Sequence, residues 1–190
     1  MHSIEQAAQA ITACFRRGGK LLLCGNGGSA ADCGHIVGEL AKGFRSRRPL
    51  PGPLLARIGL PWAAHLQQGL PAFDLTCQGP LIAAVTNDID GQSCYAQQVL
   101  AYGRPGDMLL GISTSGNAEN VCRALAVARA LGMETLGMTG ADGGRMASLC
   151  DILLRAGCTE TYRVQEEHIR MYHAFCLQIE AALFGDSEAL

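Results

Sequence analysis

The chain has 190 residues, 48% of them apolar, enough for one domain with a real core and too apolar for a disordered segment. A formal net charge of -2 argues against a general nucleic-acid binder, and no apolar run approaches the roughly 20 residues that span a bilayer. Nine scattered cysteines with no C-x-x-C fit neither a disulfide framework nor a zinc ribbon, and no signal peptide is visible, so a cytoplasmic protein with reduced thiols is expected.

Residues 3–17 read as an amphipathic helix, with Ile4, Ala7, Ala8, Ile11 and Phe15 at helical spacing and Gly18-Gly19 ending it. Residues 20–24 form the first strand. A glycine-rich turn, Gly25-Asn26-Gly27-Gly28-Ser29, leads into a helix over about 29–42. Residues 43–80 differ in kind. Prolines 49, 51, 53, 61 and 71 punctuate them, Pro80 closes them, and a short helix is expected near 62–68. This segment reads as a long excursion from the sheet, of the kind used for lids or interface arms. Strands are then expected at 81–86, 107–112, 134–139 and 151–155. Helices are expected at 93–103, 117–131, 143–149 and 164–184. Five apolar strands alternating with helices imply an α/β three-layer sandwich, a parallel sheet covered on both faces.

Ligands of open α/β sheets sit beyond the carboxyl ends of the strands. Three such ends carry polar text: Gly25–Ser29, Asn87-Asp88, and Ser113-Thr114-Ser115-Gly116-Asn117. Free N–H groups at a helix start, beside hydroxyls, make Ser113, Thr114 and Ser115 a phosphate cradle. Ser and Asn at such positions also serve as plain helix caps. Neither glycine loop is a P-loop or a dinucleotide fingerprint, so no nucleotide cofactor is expected.

His35 and Glu39 share one helix face at i, i+4. Gln165 and His173 are about 80° apart on an ideal helix and could converge on one site. Such a set could ligate a divalent metal or move protons. A surface pair and a core histidine are equally ordinary uses of these residues. The basic run from Lys42 to Arg48 reads as a solvated surface.

Together, LLLCGNGGSAADCGHIVGEL, AVTND, GDMLLGISTSGNAENV, LGMTGADGGRMA and VQEEHIRMYH resemble the sugar isomerase (SIS) domain, and more narrowly the phosphoheptose isomerases. The resemblance covers most of the chain outside 43–80. It implies a single flavodoxin-like SIS domain over 1–190 and aldose–ketose isomerisation of sedoheptulose 7-phosphate through an enediol. It implies Glu39 and His173 as the acid–base pair. Substrate contacts would come from Asn26, Gly27, Gly28, Asn87, Asp88 and Gln165, and phosphate contacts from Ser113, Thr114 and Ser115. Some members hold one zinc ion per subunit at the positions of His35, Glu39, Gln165 and His173. Members are homotetramers with shared sites, with no nucleic-acid or membrane partner. Four departures stand out. Ala118 replaces a phosphate-binding Ser, the family's additional N-terminal helix has no counterpart, residues 43–80 are longer and more Pro-rich than the usual connection, and Gly43 stands where an Arg often follows the Glu39 helix. The competing readings are a non-catalytic sugar-phosphate sensor, a partner of the replication initiator, or an isomerase of another ketose phosphate.

Overall fold

The computed structural model describes residues 2–59 and 61–185. Its elements in chain order are α1 (His2–Arg16), β1 (Leu21–Gly25), α2 (Gly28–Ala41), α3 (Gly52–Ile58), β2 (Ala72–Asp74), α4 (Gly79–Val85), α5 (Cys94–Tyr102), β3 (Met108–Ile112), α6 (Glu119–Ala130), β4 (Glu134–Thr139), β5 (Ile152–Arg155) and α7 (Thr161–Phe184). All strand pairs are parallel, in the order β2-β1-β3-β4-β5. The order reverses between β1 and β3, so the glycine loop after β1 and the Ser113 loop after β3 open side by side into the crevice such sheets use for ligands.

Alternation along the strands divides the core. Leu21, Leu23, Met108, Leu110, Ile112, Leu136 and Met138 pack beneath α1, α2 and α7. Leu22, Cys24 and Leu109 face the other way, against α4, α5 and α6. Six of the nine cysteines are buried. Burial pushes the Cys176 thiol up to about 12, so it behaves as a small apolar side chain. No helix among the described residues is long and apolar enough to cross a membrane.

Three expectations are corrected here. Residues 81–86 were expected as a strand, but they lie in α4 and the turn after it. Pro80 sits in the first turn of that helix, where its missing N–H is no loss, and the Thr86 hydroxyl donates to the Ile82 carbonyl one turn back. The fifth strand is instead β2, inside the segment expected to leave the sheet, whose carbonyl at Pro71 accepts from Leu21 N–H at 2.9 Å. The basic run is not wholly solvated, because Arg48 is 1% exposed.

Arg48 organises the end of α2. Its Nε donates to Glu180 Oε1 at 2.7 Å, and its other nitrogens donate to the carbonyls of Leu40 and Glu39. Those carbonyls belong to the last turn of α2, where intrahelical donors run out; the Leu40 carbonyl also accepts from Leu70 N–H at 2.9 Å. Glu180, on α7, also accepts from the backbone N–H groups of Phe44, Arg45 and Ser46 at 2.8–3.1 Å. One carboxylate therefore pins the turn after α2 to α7. Burial alone would raise the Glu180 pKa, but these donors and the guanidinium hold it below the ordinary carboxylate range.

Candidate active site

The β1–α2 loop bends at Gly27, whose φ of 56° belongs to the left-handed region. Asn26 is fixed by a reciprocal pair with Asn120 at the start of α6, each side-chain amide donating to the other's oxygen at 2.9 Å. The Tyr95 hydroxyl donates to the Gly25 carbonyl at 2.7 Å and braces the same loop from beneath. Gly28 is closed by α7: a Cβ there would stand 2.2 Å from the Gln165 amide nitrogen. Glycine at 28 thus lets Gln165 reach the loop.

The β3–α6 loop is similarly constrained. Gly116 has a φ of 66°, and a Cβ there would meet the Gly143 carbonyl at 2.1 Å. Gly116→Ala is accordingly expected to strain the loop by about 1–3 kcal/mol, read as a lower melting temperature together with weaker inorganic phosphate binding. A cavity of about 190 Å³ opens at this end of the sheet, lined by Thr114, Ser115, Asn117, Gly140, Ala141, Asp142 and Thr159. Buried Ser113 lies just behind it, its hydroxyl 3.5 Å from that of Ser115. Thr159 carried no sequence signal, and Asp142 stood in a matched stretch with no role assigned to it; they follow β5 and β4 and are brought in by the parallel sheet.

A second group of reactive side chains lies where α2 and α7 pack. His35 Nε2 stands 3.2 Å from Glu39 Oε1 and 3.5 Å from His173 Nε2. The Tyr172 hydroxyl is 2.7 Å from His35 Nδ1. Lys42 donates to Glu39 Oε2 at 3.4 Å, and the Phe44 ring lies tilted against His173 at 5.5 Å. Behind Tyr172 lies Asp32, almost buried, with an Oδ2 that has no hydrogen-bond partner. Burial raises the Asp32 pKa, opposed by the Tyr172 hydroxyl and by His35. The Tyr172 hydroxyl is pushed up in turn, first by burial and then by Asp32. Both residues follow from spacing on the two helices, Asp32 one turn before His35 and Tyr172 beside His173, but neither matches a chemical motif.

The four positions suggested for a metal do not meet within one chain. Gln165 packs at Gly28 and His173 at His35, and eight residues of helix separate Gln165 from His173, roughly 12 Å along the axis. The separations of 3.2 and 3.5 Å about His35 Nε2 resemble those between neighbouring ligands of a tetrahedral zinc, whose bonds are about 2.0–2.2 Å. The donor chemistry therefore suits such an ion. Yet among the described residues no three His, Cys, Asp or Glu side chains close around a common point.

Asn87 and Asp88 are not at a strand end. They lie in one π-helical turn (Thr86–Asp90) after α4, both exposed, with Asn87 donating to Asp88 at 2.7 Å. That placement follows from the helical course of residues 79–85. The same turn is tied to α6 through Asp90, which accepts from Arg123.

This arrangement has clear relatives. The family profile of the SIS domain matches residues 1–140. The phosphoheptose isomerase of Desulfovibrio desulfuricans is 43% identical over 187 residues, covering 98% of this chain and 80% of the relative. The solved phosphoheptose isomerase GmhA from Neisseria gonorrhoeae superposes with a TM-score of 0.80 at 35% identity, covering 95% of this chain and 86% of its own. That from Francisella tularensis gives 0.79 at 33%, covering 93% and 84%. With the parallel sheet, the paired loops and the His35–Glu39–His173 group all in place, the chain belongs to the SIS-domain family and, within it, to the phosphoheptose isomerases.

Proposed function

We propose that the chain interconverts sedoheptulose 7-phosphate and D-glycero-D-manno-heptose 7-phosphate by moving a proton between C1 and C2 through an enediol. The observation that carries this reading is the approach of a carboxylate and an imidazole, Glu39 and His173, to one His35 ring. Glu39 removes the proton from one carbon and returns it to the other. His173 moves the companion proton between the two oxygens. Positioned acid–base groups of this kind contribute about 10²–10⁴-fold to rate.

The phosphate is assigned to the cavity beside Ser113–Ser115, where hydroxyls and the start of α6 favour an anion. Thr114→Ala and Ser115→Ala are each expected to raise KM about tenfold or more, with kcat less affected, since a hydrogen bond to a charged group contributes about 1.5–3 kcal/mol. Asn26, Gly27, Gly28, Asn87, Asp88 and Gln165 complete the proposed sugar contacts.

A shared, homotetrameric site suits the geometry: Gln165 and His173 sit at different levels of α7, so a set containing both draws on a second copy. His35, Glu39 and His173, with Gln165, would hold zinc, which when bound polarises the sugar carbonyl. Nine free thiols suit a cytoplasmic setting.

The test is incubation with a panel of ketose phosphates in deuterated water, with and without chelator. Deuterium at C2 of the heptose phosphate is the expected result. Exchange on a different sugar reassigns the substrate, and binding without exchange on any sugar makes the chain a sensor. Loss of exchange with chelator, restored by zinc, supports the metal; unchanged exchange removes it.

A further inference from the structure

Resting on the shared-site reading above, we infer that residues 49–67 form an arm that docks on a second copy of this chain, with Leu54, Ile58, Trp62 and Leu66 as its contact stripe.

The arm is closed at its base and open beyond it. Pro49 and Gln67 form an antiparallel bridge. Gln68 N–H donates to the Arg48 carbonyl at 2.8 Å, the Gln68 side-chain amide donates to the Pro49 carbonyl at 2.6 Å, and Gly43 N–H donates to Gln67 Oε1 at 2.8 Å. These bonds root the arm on buried Arg48 and on the turn after α2, close to Glu39. Past the root, α3 buries no residue, and the short helical turn Trp62–His65 buries only Ala63. A two-turn helix with no buried face is marginal in water by itself. Leu54, Ile58, Trp62 and Leu66 recur every fourth position, and all are exposed, Trp62 at 74%. Of the ten exposed large apolar side chains among the described residues, these four fall within a single arm, a concentration that marks an interaction surface.

Charge selects the occupant. Residues 40–73 hold five cations, Lys42, Arg45, Arg47, Arg48 and Arg57, and no carboxylate. The rest of the chain holds ten cations against seventeen carboxylates. Lys42 and Arg48 are paired with Glu39 and Glu180, while Arg45, Arg47 and Arg57 face solvent. A basic arm on an acidic body is complementary to the body of another copy. An anionic lipid surface would attract the arm and repel the body that carries it. Tryptophan and arginine are also the side chains that anchor protein interfaces. Because the arm is rooted at the end of α2, the copy it holds lies next to His35 and Glu39, where a shared site needs it.

Trp62 is the only tryptophan in the chain, so tryptophan emission reports on the arm alone. The experiment follows emission and sedimentation of the full chain together along a dilution series, without sugar. Where the parent is associated, Trp62 is expected to emit to the blue of a hydrated tryptophan. Ile58→Asp with Leu66→Asp, both at exposed positions, is expected to move that emission to the red and to weaken self-association at least about 30-fold, the size of a lost interface anchor. Arg47→Glu with Arg57→Glu is expected to weaken it about tenfold at low salt, with a smaller loss as salt rises. Circular dichroism identifies any variant that fails to fold, and the two pairs test the arm independently. A parent that is monomeric at every concentration overturns the inference, as does an associated parent whose Trp62 emits as hydrated. Blue emission from monomers places the arm on its own chain and overturns it too. A shift that appears only with vesicles of anionic phospholipid gives the arm to a membrane instead. No sugar enters the measurement, so failure here and failure of the isomerase reading are separate results.

Discussion

Glu39→Gln is expected to lower kcat for isomerisation by about 10²–10⁴-fold while leaving sugar-phosphate binding and folding in place. Glutamine keeps the length of the side chain and an oxygen that can still accept from Lys42, so the end of α2 loses little. It cannot accept and return a carbon-bound proton. The phosphate cavity beside Ser113–Ser115 is built by the loops after β3, β4 and β5 and is untouched. Calorimetric binding and deuterium exchange measured together therefore separate the isomerase from the sensor. A variant that still exchanges deuterium at the parent rate removes Glu39 from the reaction.

The second large effect is on stability. Glu180→Ala strands the Arg48 guanidinium, removes one acceptor serving three backbone N–H groups, and is expected to destabilise the chain by about 3–5 kcal/mol. For a chain of this size that is a fall in melting temperature on the order of 10 °C. The pH dependence has a definite sign. The folded-state pKa of Glu180 lies below its unfolded value, so its contribution is fully present above the ordinary glutamate value of about 4.3 and is lost as pH falls through the lower folded value. Parent and variant melting curves should therefore converge under acid conditions below about pH 4. A gap that persists there assigns the effect to the lost packing of the side chain instead. Because Arg48 also binds the carbonyls of Glu39 and Leu40, the variant should lose activity before it unfolds.

Most of the fold was legible because its long elements state their period. Leu21–Gly25 and Met108–Ile112 are continuous apolar strands between glycine loops, and α7 is a long amphipathic stretch. Residues 81–86 failed for a physical reason: LIAAV is short and apolar, and a run of that length suits a buried strand or one helical turn alike. Pro80 at the helix start was the deciding mark. β2 has three residues, and its Phe73 is half exposed, so no periodicity announces it. Arg48 reads as surface in any charge pattern; only its distant partner on α7, 132 residues away, makes it interior.

Of the site, the residue types and the His35–Glu39 spacing were visible, and the approach of His173 to them is in the geometry. Gln165 shows where spacing runs out. An angular separation of 80° places two side chains on one face but says nothing of the roughly 12 Å between them along the axis. Tyr172 escaped because it belongs to no chemical motif; only the packing of α2 on α7 brings its hydroxyl to His35.

The Asn26–Asn120 clasp carries an evolutionary consequence. Two amides that each give and take one hydrogen bond form a reciprocal pair: aspartate at either position keeps the bond it accepts but sets two acceptors face to face across the other, and a hydrophobe strands the other amide. Neither single step is neutral, since aspartate loses one of the two bonds and a hydrophobe loses both. Across descendants of this chain, positions 26 and 120 should behave as one inherited character, fixed together or exchanged together, although 94 residues of sequence lie between them.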